Sequence, residues 1–323
     1  MSEKRLRMKN SRNKIELTVP QELAGKRLDA CVSKLAPDYS RVQIQRLIAD
    51  GSLLLNGKVQ NVKRYIVSEG DRITFEEPEE LPMEHVEGED IPLSVLYEDD
   101  SLLVIDKPAG MVVHPAAGNW TGTVVNALLG RKEFAEDFEE EDMTRPGIVH
   151  RLDKDTSGCL VIAKNSIAMH KLSRSFAERE VSKTYAAIAA PAPKVLTAKI
   201  ETQIGRNPGN RKKMAVVANG GRDAITIFNV LKRGKIGSVP AALLQVRILT
   251  GRTHQIRVHL SHFGSPVIGD PLYGGRGRIA APRQMLHAWK ITFPHPETRE
   301  MLSFESPFPA DFQEYLDQLK EER

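Results

Sequence analysis

Apolar residues in the first eighty positions follow the period of two short helices. Leu28, Val32 and Leu35 are spaced i, i+4 and i+7, which predicts one buried helical face. A second helix is predicted over Arg41–Ala49, where Ser40 can serve as the N-cap and a glycine follows the last apolar residue. The N-terminal region is therefore predicted to contain two helices of about eight to ten residues.

Strand-like alternation surrounds these helices. The segment KIELTVP alternates apolar and polar residues, and DRITF at 71–75 does the same. Between them, SLLLNGKVQ carries Asn56 and Gly57 between two apolar runs, and because both residues tolerate positive φ this predicts a β-hairpin. Together these elements predict a small domain over residues 15–78, preceded by a basic tail over 1–14.

The remainder of the chain predicts a larger domain after a linker. Residues 79–92 are acidic, contain proline and lack periodicity, which is typical of a linker. Over residues 93–323 we predict strands in LSVLYEDD, LLVIDKP, GCLVIAKN, KTYAAIAA, LLQVRILT and ITFPHP, and helices in TGTVVNALLG, IAMHKLSRSFAERE and RTHQIRVHLSHFG. There is no βαβ alternation with a phosphate-binding glycine loop. The predicted fold class is α+β, with a mixed, mainly antiparallel sheet and flanking helices.

Length and composition narrow the protein class. A chain of 323 residues is long enough for two domains. No apolar run approaches the roughly 18 residues of a membrane-spanning helix, so no membrane association is expected. Cys31 and Cys159 lie far apart in a chain with enough apolar residues for a full core, which favours reduced, buried thiols and a cytoplasmic location.

The net charge of +4 conceals an uneven distribution. Residues 76–90 carry eight acids and no Lys or Arg, and residues 133–142 carry seven acids and no Lys or Arg. The rest of the chain is strongly basic, with clusters at 4–14, 206–213 and 276–283. Any one cluster could be a loop kept soluble by its charge, but together they favour a polyanion such as nucleic acid as the partner.

A group of opposite charges precedes the apolar strand GCLVIAKN. His150, Arg151, Asp153, Lys154 and Asp155 fall within six positions. A carboxylate acts as a nucleophile only while ionised, and a fixed cation nearby keeps it so. Asp153 is the candidate because it lies between an apolar approach and a Ser-Gly corner; Asp155 suits a turn better. The alternative for the whole group is a solvated charged turn.

The segment LTGRTHQIRVHLSHFG carries the second candidate group. Thr253 can cap a helix in which Ile256 and Leu260 form the apolar stripe. Arg257 would lie in the first turns of that helix, just after Arg252, where a guanidinium can clamp a carboxylate or a phosphate. The alternative is an ordinary amphipathic helix with exposed arginines.

Three histidines in the same segment do not match a metal site. His254, His259 and His262 are spaced by five and three residues, which does not give the i, i+4 pair of a helical zinc site, and no cysteine or acid completes a ligand set. We therefore predict phosphate-facing or structural imidazoles and no metal.

Tyr185 begins the predicted strand KTYAAIAA. Its ring could stack on a nucleic-acid base, and its hydroxyl could meet a polar group. Most tyrosines in strands simply pack in the core, and that alternative stays open here.

The N-terminal elements resemble the S4 domain, a small RNA-binding domain named after a protein of the small ribosomal subunit. The matching residues are Arg27-Leu28-Asp29, Ser40-Arg41, Leu47-Ile48, Gly51, Asn56-Gly57 and Gly70-Asp71. The resemblance implies that basic side chains of this domain face structured RNA. The candidates are Arg41, Gln45, Arg46, Lys58, Lys63 and Arg64. The alternative is a small packing domain with solvated lysines.

Almost the whole chain resembles the RluA/RluD-type pseudouridine synthases, and the RluD branch most. The motifs that carry the resemblance, in order, are MVVHPAAGNWTGTVVNALLG, PGIVHRLDKDTSGCLVIAKN, FAEREVSKTYAAIA, TGRTHQIRVHL, GDPLYG and RQMLHAWKITFPHP. The resemblance implies that Asp153 is the essential aspartate, Tyr185 the active-site tyrosine and Arg257 the arginine that pairs with Asp153. It further places Arg151, Arg252 and His254 among the residues expected to contact RNA.

The same resemblance implies a reaction and a substrate. It implies isomerisation of uridine to pseudouridine in large-subunit ribosomal RNA, on a base flipped out of the RNA, with no cofactor and no metal. A cytoplasmic monomer is expected. A transfer-RNA target stays open, as do two other activities: an RNA-binding or ribosome-assembly factor with an unused pocket, and a nucleoside hydrolase.

Overall fold

The chain divides into two units, residues 1–84 and 85–323. The computed structural model describes the following parts of the chain: 14–36, 41–76, 86–115, 119–131, 134, 138, 145–210, 213–274 and 279–320. Most of the basic tail, the proposed cap Ser40 and most of the acidic segments lie outside these residues. No helix of the described chain is long and apolar enough to cross a membrane. The second unit begins at His85, and Glu89 N–H donates to Asn126 O at 2.8 Å, so the end of the predicted 79–92 linker packs on that unit.

The first unit combines a four-stranded antiparallel sheet with two helices, as the periodicity predicted. Its strands lie in the order β1-β4-β2-β3. The elements are β1 Lys14–Thr18, α1 Leu28–Leu35, α2 Arg41–Ala49, β2 Leu53–Leu55, β3 Lys58–Val59 and β4 Arg72–Glu76. The predicted hairpin is present between β2 and β3, where Asn56 and Gly57 have φ of 51° and 78°. Of the helical face predicted from Leu28, Val32 and Leu35, the first two are fully buried in the core of this unit and Leu35 is partly buried against it.

The second unit is built on a ten-stranded mixed sheet. The strands are β5 Val95–Glu98, β6 Leu102–Lys107, β7 Ser157–Ala163, β8 Ser182–Ala189, β9 Thr197–Arg206, β10 Met214–Val217, β11 Arg222–Ile236, β12 Val239–Ile248, β13 Leu286–Pro294 and β14 Met301–Glu305. The helices are α3 Val124–Leu129, α4 Ser166–Ala177, α5 Gln255–His262 and α6 Ala310–Gln318. The prediction of a mixed, mainly antiparallel sheet with flanking helices is confirmed.

The strand order brings distant segments together at the middle of the sheet. It is β10-β9-β11-β12-β8-β13-β7-β6-β5, with β14 paired to β13. Among the described strands, β13 and β7 pair in parallel and the other named pairs are antiparallel. Ser157 of β7 and Ala186 of β8 pair with the same residue of β13, His287, so the loop before β7 lies close to the middle of β8. This adjacency, which no local pattern reveals, positions the site described below.

One predicted helix start is wrong in detail. Thr253 does not cap α5; the N-cap is His254, which has a left-handed φ of 56° and makes no side-chain cap bond. The Gln255 side chain fixes this turn instead, because its Oε1 accepts from Arg252 N–H at 3.0 Å and from the Thr250 hydroxyl at 2.8 Å. The predicted apolar stripe is confirmed, since Ile256 and Leu260 are buried.

Both cysteines are buried and unpaired. Burial raises the pKa of Cys159 to about 12 and also raises the pKa of Cys31. Neither thiol is therefore ionised near neutral pH, which suits the structural role expected from the sequence.

Candidate active site

A cleft of about 400 Å³ opens in the second unit where three segments meet. They are the loop before β7, the start of β8 and the turn that leads into α5. Asp153, Tyr185 and Arg257 all line the cleft. The three residues singled out in separate motifs are thus brought together, although 104 positions separate Asp153 from Arg257.

Asp153 lies in a tight turn just before β7. Its backbone carbonyl accepts from Thr156 N–H at 3.1 Å, and its side chain keeps 21% of its surface exposed. The chain then enters β7 at Gly158, where φ is 112° and a Cβ would lie 2.3 Å from the Ala288 carbonyl oxygen. Only glycine fits so close to β13. The Asp153 carboxylate is therefore held at the cleft by a well-ordered corner, whereas Asp155 does not line the cleft.

Arg257 joins two carboxylates. Its Nη1 donates to Asp153 Oδ2 at 2.9 Å, while its Nε and Nη2 donate to the two oxygens of Asp270 at 2.7 and 2.9 Å. Arg257 is 4% exposed and Asp270 is fully buried. The forked contact with Asp270 fixes the guanidinium plane, so that the remaining N–H points at Asp153.

The charges of this cluster stabilise one another. Burial alone would raise the pKa of Asp270, but hydrogen bonds and attraction from Arg257, with the N–H groups of Leu272 and Tyr273, lower it overall. Burial would lower the pKa of Arg257, but Asp270 and then Asp153 raise it. With one cation and two carboxylates, the cluster carries one net negative charge at neutral pH.

Lys107 contacts the backbone of the loop that carries Asp153. It is fully buried at the end of β6, and its Nζ donates to the carbonyls of Pro108, Met111 and Lys154 at 2.7, 2.8 and 3.1 Å. Burial lowers the pKa of Lys107 to about 7, although Asp155 and Asp153 act to raise it. Three carbonyl acceptors require three N–H donors, which only the charged ammonium provides. We therefore take Lys107 to be charged in the assembled loop.

Arg283 contacts the residues that follow Lys154 in the same loop. Its Nη1 donates to Asp155 O at 3.0 Å and its Nη2 to Ser157 Oγ at 3.2 Å. The guanidinium is fixed by Asp311 of α6 through bonds of 2.6 and 2.9 Å. Lys107 and Arg283 thus restrain the residues that directly follow Asp153, at Lys154, Asp155 and Ser157.

Tyr185 lies on β8 at the cleft wall and is 8% exposed. Burial, and then the charge of Asp153, raise the pKa of its hydroxyl. Tyr185 is therefore a neutral phenol over the physiological range, with a ring edge and a hydroxyl available to the cleft.

His254 is oriented toward Asp153 by a tyrosine. The Tyr273 hydroxyl accepts from Met214 N–H at 2.7 Å and lies 2.8 Å from His254 Nδ1. Burial lowers the pKa of His254 even though Asp153 acts to raise it, so the ring is neutral. If Tyr273 donates its proton to Nδ1, the ring N–H is on Nε2, which lies 4.0 Å from Asp153 Oδ1.

The other two histidines of the segment, His259 and His262, do not line the cleft. His259 is fully buried between the hydroxyls of Thr202 and Thr226, and burial lowers its pKa to about 4. His262 lies in the last turn of α5. Among the described residues, no group of three or more His, Cys, Asp or Glu side chains could hold a metal ion.

The remaining predicted RNA contacts lie on both units. Arg151 is exposed at the rim of the cleft, and Arg252 lines it while its Nε donates to Asp223 O at 2.9 Å. In the first unit Lys58 is exposed and Lys63 partly so. The side chains of Arg41 and Arg46 lie outside the described residues. Gln45 is engaged within the unit, since its amide donates to Asp29 at 2.8 Å.

The chain is similar to known proteins over most of its length. The chain is 44% identical over 320 residues to "Ribosomal large subunit pseudouridine synthase D" of Neisseria meningitidis, covering 95% of this chain and 82% of that protein. It is 42% identical over 320 residues to the protein of the same name from Pseudomonas aeruginosa, covering 94% and 95% of the two chains. A family model described as RNA pseudouridylate synthase matches residues 101–262, and one described as S4 domain matches residues 26–73.

The chain belongs to the RNA pseudouridylate synthase family. A solved structure, human RNA pseudouridylate synthase domain containing 1, is similar with a TM-score of 0.57 and 29% identity, covering 69% of this chain and 86% of that one. The predicted resemblance and the two-domain arrangement, an S4 domain followed by the synthase domain, are confirmed.

Four residues that build this pseudouridylate synthase site were not among the predicted site residues: Lys107, Asp270, Tyr273 and Arg283. Asp270 and Tyr273 belong to GDPLYG, and Arg283 to RQMLHAWK, motifs that were noted without a role. Lys107 lies in LLVIDKP, where a lysine ending an apolar strand is a usable signal of a buried cation. Each acts through a partner more than ten positions away along the chain, which a motif alone does not identify.

His150 is a neutral, half-buried imidazole in this synthase domain. Its Nε2 accepts from Val161 N–H of β7 at 2.8 Å, and its ring stacks on Phe176 with centroids 4.7 Å apart. Burial, with a smaller contribution from Lys183, lowers the pKa of His150 to about 3. The unfolded chain would take up this proton near pH 6.5, so protonation favours unfolding as the pH falls.

Replacing His150 with glutamine should make the protein less sensitive to acid. The glutamine oxygen can still accept from Val161 N–H but does not titrate. In the wild type the unfolding free energy contributed by His150 is fully present above pH of about 6.5 and is lost as the pH falls toward about 3. Urea unfolding at several pH values in this window should give a shallower decline for His150→Gln; equal declines would contradict the assignment.

Proposed function

We propose that this protein isomerises specific uridines of large-subunit ribosomal RNA to pseudouridine, with Asp153 as the essential carboxylate. The observation that carries the proposal is the 2.9 Å bond between Asp153 and Arg257 at the cleft. The names of the Neisseria and Pseudomonas relatives support the ribosomal substrate. That substrate implies a cytoplasmic location and no need for a membrane; the expected monomer stays a prediction.

The proposed reaction moves the uracil from nitrogen to carbon on the same ribose. The bond between N1 and C1′ breaks, the freed base turns, and C5 bonds to C1′. C5 then gives up its proton and N1 gains one, so that substrate and product are isomers. No redox step occurs, and the residues of the cleft can supply the acid, base and charge that these steps need.

Asp153 begins this sequence as an ionised group next to a fixed cation. It either attacks C1′, giving a covalent ribosyl ester, or removes a ribose proton to give a glycal; both routes stay open. In either route the carboxylate needs to remain anionic near a negatively charged RNA, and Arg257 provides the compensating charge. Arg257 is itself held by Asp270, so it does not need to reorganise during turnover.

Tyr185 suits contact with the base better than service as a phenolate. Its raised pKa keeps the hydroxyl protonated at neutral pH. A neutral phenol at the cleft wall can stack on the everted uracil or donate a hydrogen bond to it. Removal of the C5 proton would then pass through Tyr185 only as a relay, not by an ionised tyrosinate.

A nucleoside hydrolase is less well supported. Hydrolysis of a glycosidic bond ordinarily uses two positioned carboxyl groups. Among the described residues that line the cleft, Asp153 is the only carboxylic acid. A pure RNA-binding factor is also less well supported, because a carboxylate facing a polyanion weakens binding and needs a chemical reason to be there.

Mapping of pseudouridines tests the proposal directly. Ribosomal RNA from cells with and without this chain would be treated with carbodiimide and read by reverse-transcriptase stops. We expect one or a few stops in large-subunit RNA that require the chain and return when it is resupplied. Stops that change only in transfer RNA would replace the ribosomal substrate, and no change at all would contradict the proposed function.

The basic face of the S4 domain should contribute affinity rather than chemistry. In a triple variant Lys58→Ala, Lys63→Ala, Arg64→Ala, we expect weaker RNA binding and a flatter salt dependence, by about 0.7 to 0.9 in the log–log slope for each phosphate that is no longer neutralised. The single-turnover rate at saturating enzyme should stay close to that of the wild type. Lys194→Ala, at an exposed lysine between β8 and β9, is the matched control and should bind normally. A lower rate with unchanged affinity would contradict this role.

A further inference from the structure

Lys183 differs from the other buried cations near the cleft. It lies on β8 two residues before Tyr185, lines the cleft and is partly buried. Its Nζ lies 5.5 Å from the centroid of the Phe176 ring. Among the described residues, the Nζ atom of Lys183 has no hydrogen-bond or ion-pair partner. Its ammonium group thus faces an aromatic ring and the open cleft.

The other buried cations near the cleft are compensated by protein groups, whereas Arg151, which also lines the cleft, is exposed to solvent. Arg257 contacts two carboxylates, Arg283 contacts Asp311, and Lys107 donates to three carbonyls. Removing a charge from water without a partner costs free energy, so proteins rarely keep one without a function. Burial lowers the pKa of Lys183, and no carboxylate acts to raise it. The compensating group is therefore expected to come from the ligand.

The approach to Lys183 is left open by a glycine. Gly251, in the turn before α5, also lines the cleft. A Cβ added at Gly251 would lie 3.8 Å from Lys183 Nζ, in van der Waals contact with it. Glycine at this position therefore keeps one side of the ammonium group free for an incoming oxygen atom.

We propose that Lys183 binds a backbone phosphate of the RNA strand beside the everted uridine. This inference rests on the proposed function, because it assumes that RNA enters this cleft. The Asp153, Arg257 and Asp270 cluster carries a net negative charge and repels a polyanion, and the Lys183 ammonium group, which lines the same cleft, offsets that repulsion. A full negative charge, rather than a uracil carbonyl, best compensates an unpaired ammonium group, and lysine binds phosphate as a point charge.

The test uses Lys183→Met in an Asp153→Asn background, so that binding is measured without turnover. The RNA is the large-subunit ribosomal RNA fragment that the Asp153→Asn protein binds most tightly, so that its choice does not depend on turnover. We expect affinity to fall by about tenfold and the log–log salt slope to flatten by about 0.7 to 0.9. Lys183→Arg should retain most of the affinity. Lys171→Met, at an exposed lysine of α4, is the matched control and should bind normally.

A neutral methylphosphonate placed at one linkage at a time identifies the phosphate. At one linkage next to the target uridine, the methylphosphonate should weaken RNA binding to the Asp153→Asn protein. The same substitution should not weaken binding further in the variant that also carries Lys183→Met. Thermal unfolding checks the fold, and Lys183→Met should be at least as stable as the wild type because an unpaired charge is removed. The proposal would be overturned if, at every linkage, the methylphosphonate weakened binding equally with and without Lys183→Met. It would also be overturned if Lys183→Met left the salt slope unchanged.

The two proposals fail differently. If the wild type forms pseudouridine but Lys183→Met lowers only the single-turnover rate, with affinity and salt slope unchanged, Lys183 does not bind phosphate. If the wild type forms no pseudouridine but one linkage couples to Lys183, the phosphate site stands and the proposed function fails.

Discussion

Asp153→Asn should abolish pseudouridine formation while leaving the fold and RNA binding intact. Asparagine has the same shape, and its oxygen can still accept from Arg257 Nη1, so the cluster around Asp270 is preserved. The neutral amide, however, can neither attack C1′ nor remove a proton. We expect the single-turnover rate to fall by at least about 10³-fold. Loss of one negative charge in the cleft should leave RNA affinity equal or slightly higher.

The measurement is release of the C5 hydrogen from labelled uridine in the RNA target, together with binding and thermal unfolding of the same preparations. Asp155→Asn is the matched control, because that side chain lies two residues away but does not line the cleft. It should keep most of the activity. Residual activity of Asp153→Asn within tenfold of the wild type, or equal losses for the two variants, would show that Asp153 is not the reacting carboxylate.

Local patterns predicted the parts of the fold that depend on local physics. The helical face containing Leu28 and Val32 and the Asn56-Gly57 hairpin are present because spacing and turn chemistry determine them. Strand β13 begins at Leu286, five residues before the predicted run ITFPHP. Its first half follows the polar RQ pair and pairs in parallel with β7, so tertiary contacts rather than alternation set its start.

Four strands of the large sheet were not predicted: β9, β10 and β11 lie at one end of the sheet, and β14 pairs with β13. β9 and β11 pair over eight positions, and β11 continues to Ile236 with its far half largely exposed. Charged residues such as Lys232, Arg233 and Lys235 interrupt the apolar alternation there. Strand pairing supplies the hydrogen bonds that local hydrophobicity does not predict, because an edge region needs less apolar burial.

The sequence identified the carboxylate that we propose to react, Asp153, but not the residues that position it. A carboxylate followed by a Ser-Gly corner, and an arginine in the first turn of a helix, are visible in the sequence. That they meet at 2.9 Å depends on the strand order β12-β8-β13-β7, because α5 follows β12 and the Asp153 loop precedes β7. Asp270 was missed for the same reason: an aspartate next to glycine and proline is usually a turn residue, and only the fold shows it fully buried against Arg257.

Arg257→Met should remove activity and also destabilise the protein. Asp270 would remain fully buried with two backbone N–H donors but without a cation, and the cost of such an uncompensated charge is about 3–5 kcal/mol of unfolding free energy. Asp153 would lose the guanidinium that contacts and orients it. We expect the single-turnover rate to fall by at least about 10²-fold, a loss typical of removing one preorganised charged donor. Urea unfolding and hydrogen release measure the two effects.

The double variant Arg257→Met, Asp270→Asn separates stability from activity. Replacing Asp270 removes the uncompensated charge, so most of the lost unfolding free energy should return. Activity should not return, because Asp153 still lacks its cation. If activity recovered together with stability, Arg257 would be a purely structural residue and its contact with Asp153 would have no chemical role.

The pH dependence of the single variant gives an independent check. In the wild type the pKa of Asp270 is lowered, so its contribution to stability is present above a pH of about 4 and is lost as the pH falls through the folded pKa. Without Arg257, burial acts to raise the pKa of Asp270 and only the N–H groups of Leu272 and Tyr273 oppose it, so we expect the pKa to rise above the unfolded value. The folded state then binds the proton more tightly than the unfolded state, and lowering the pH reduces the destabilisation. The difference in unfolding free energy between wild type and Arg257→Met should therefore shrink as the pH is lowered from about 8 toward about 5, whereas a difference independent of pH would mean that Asp270 finds another cation.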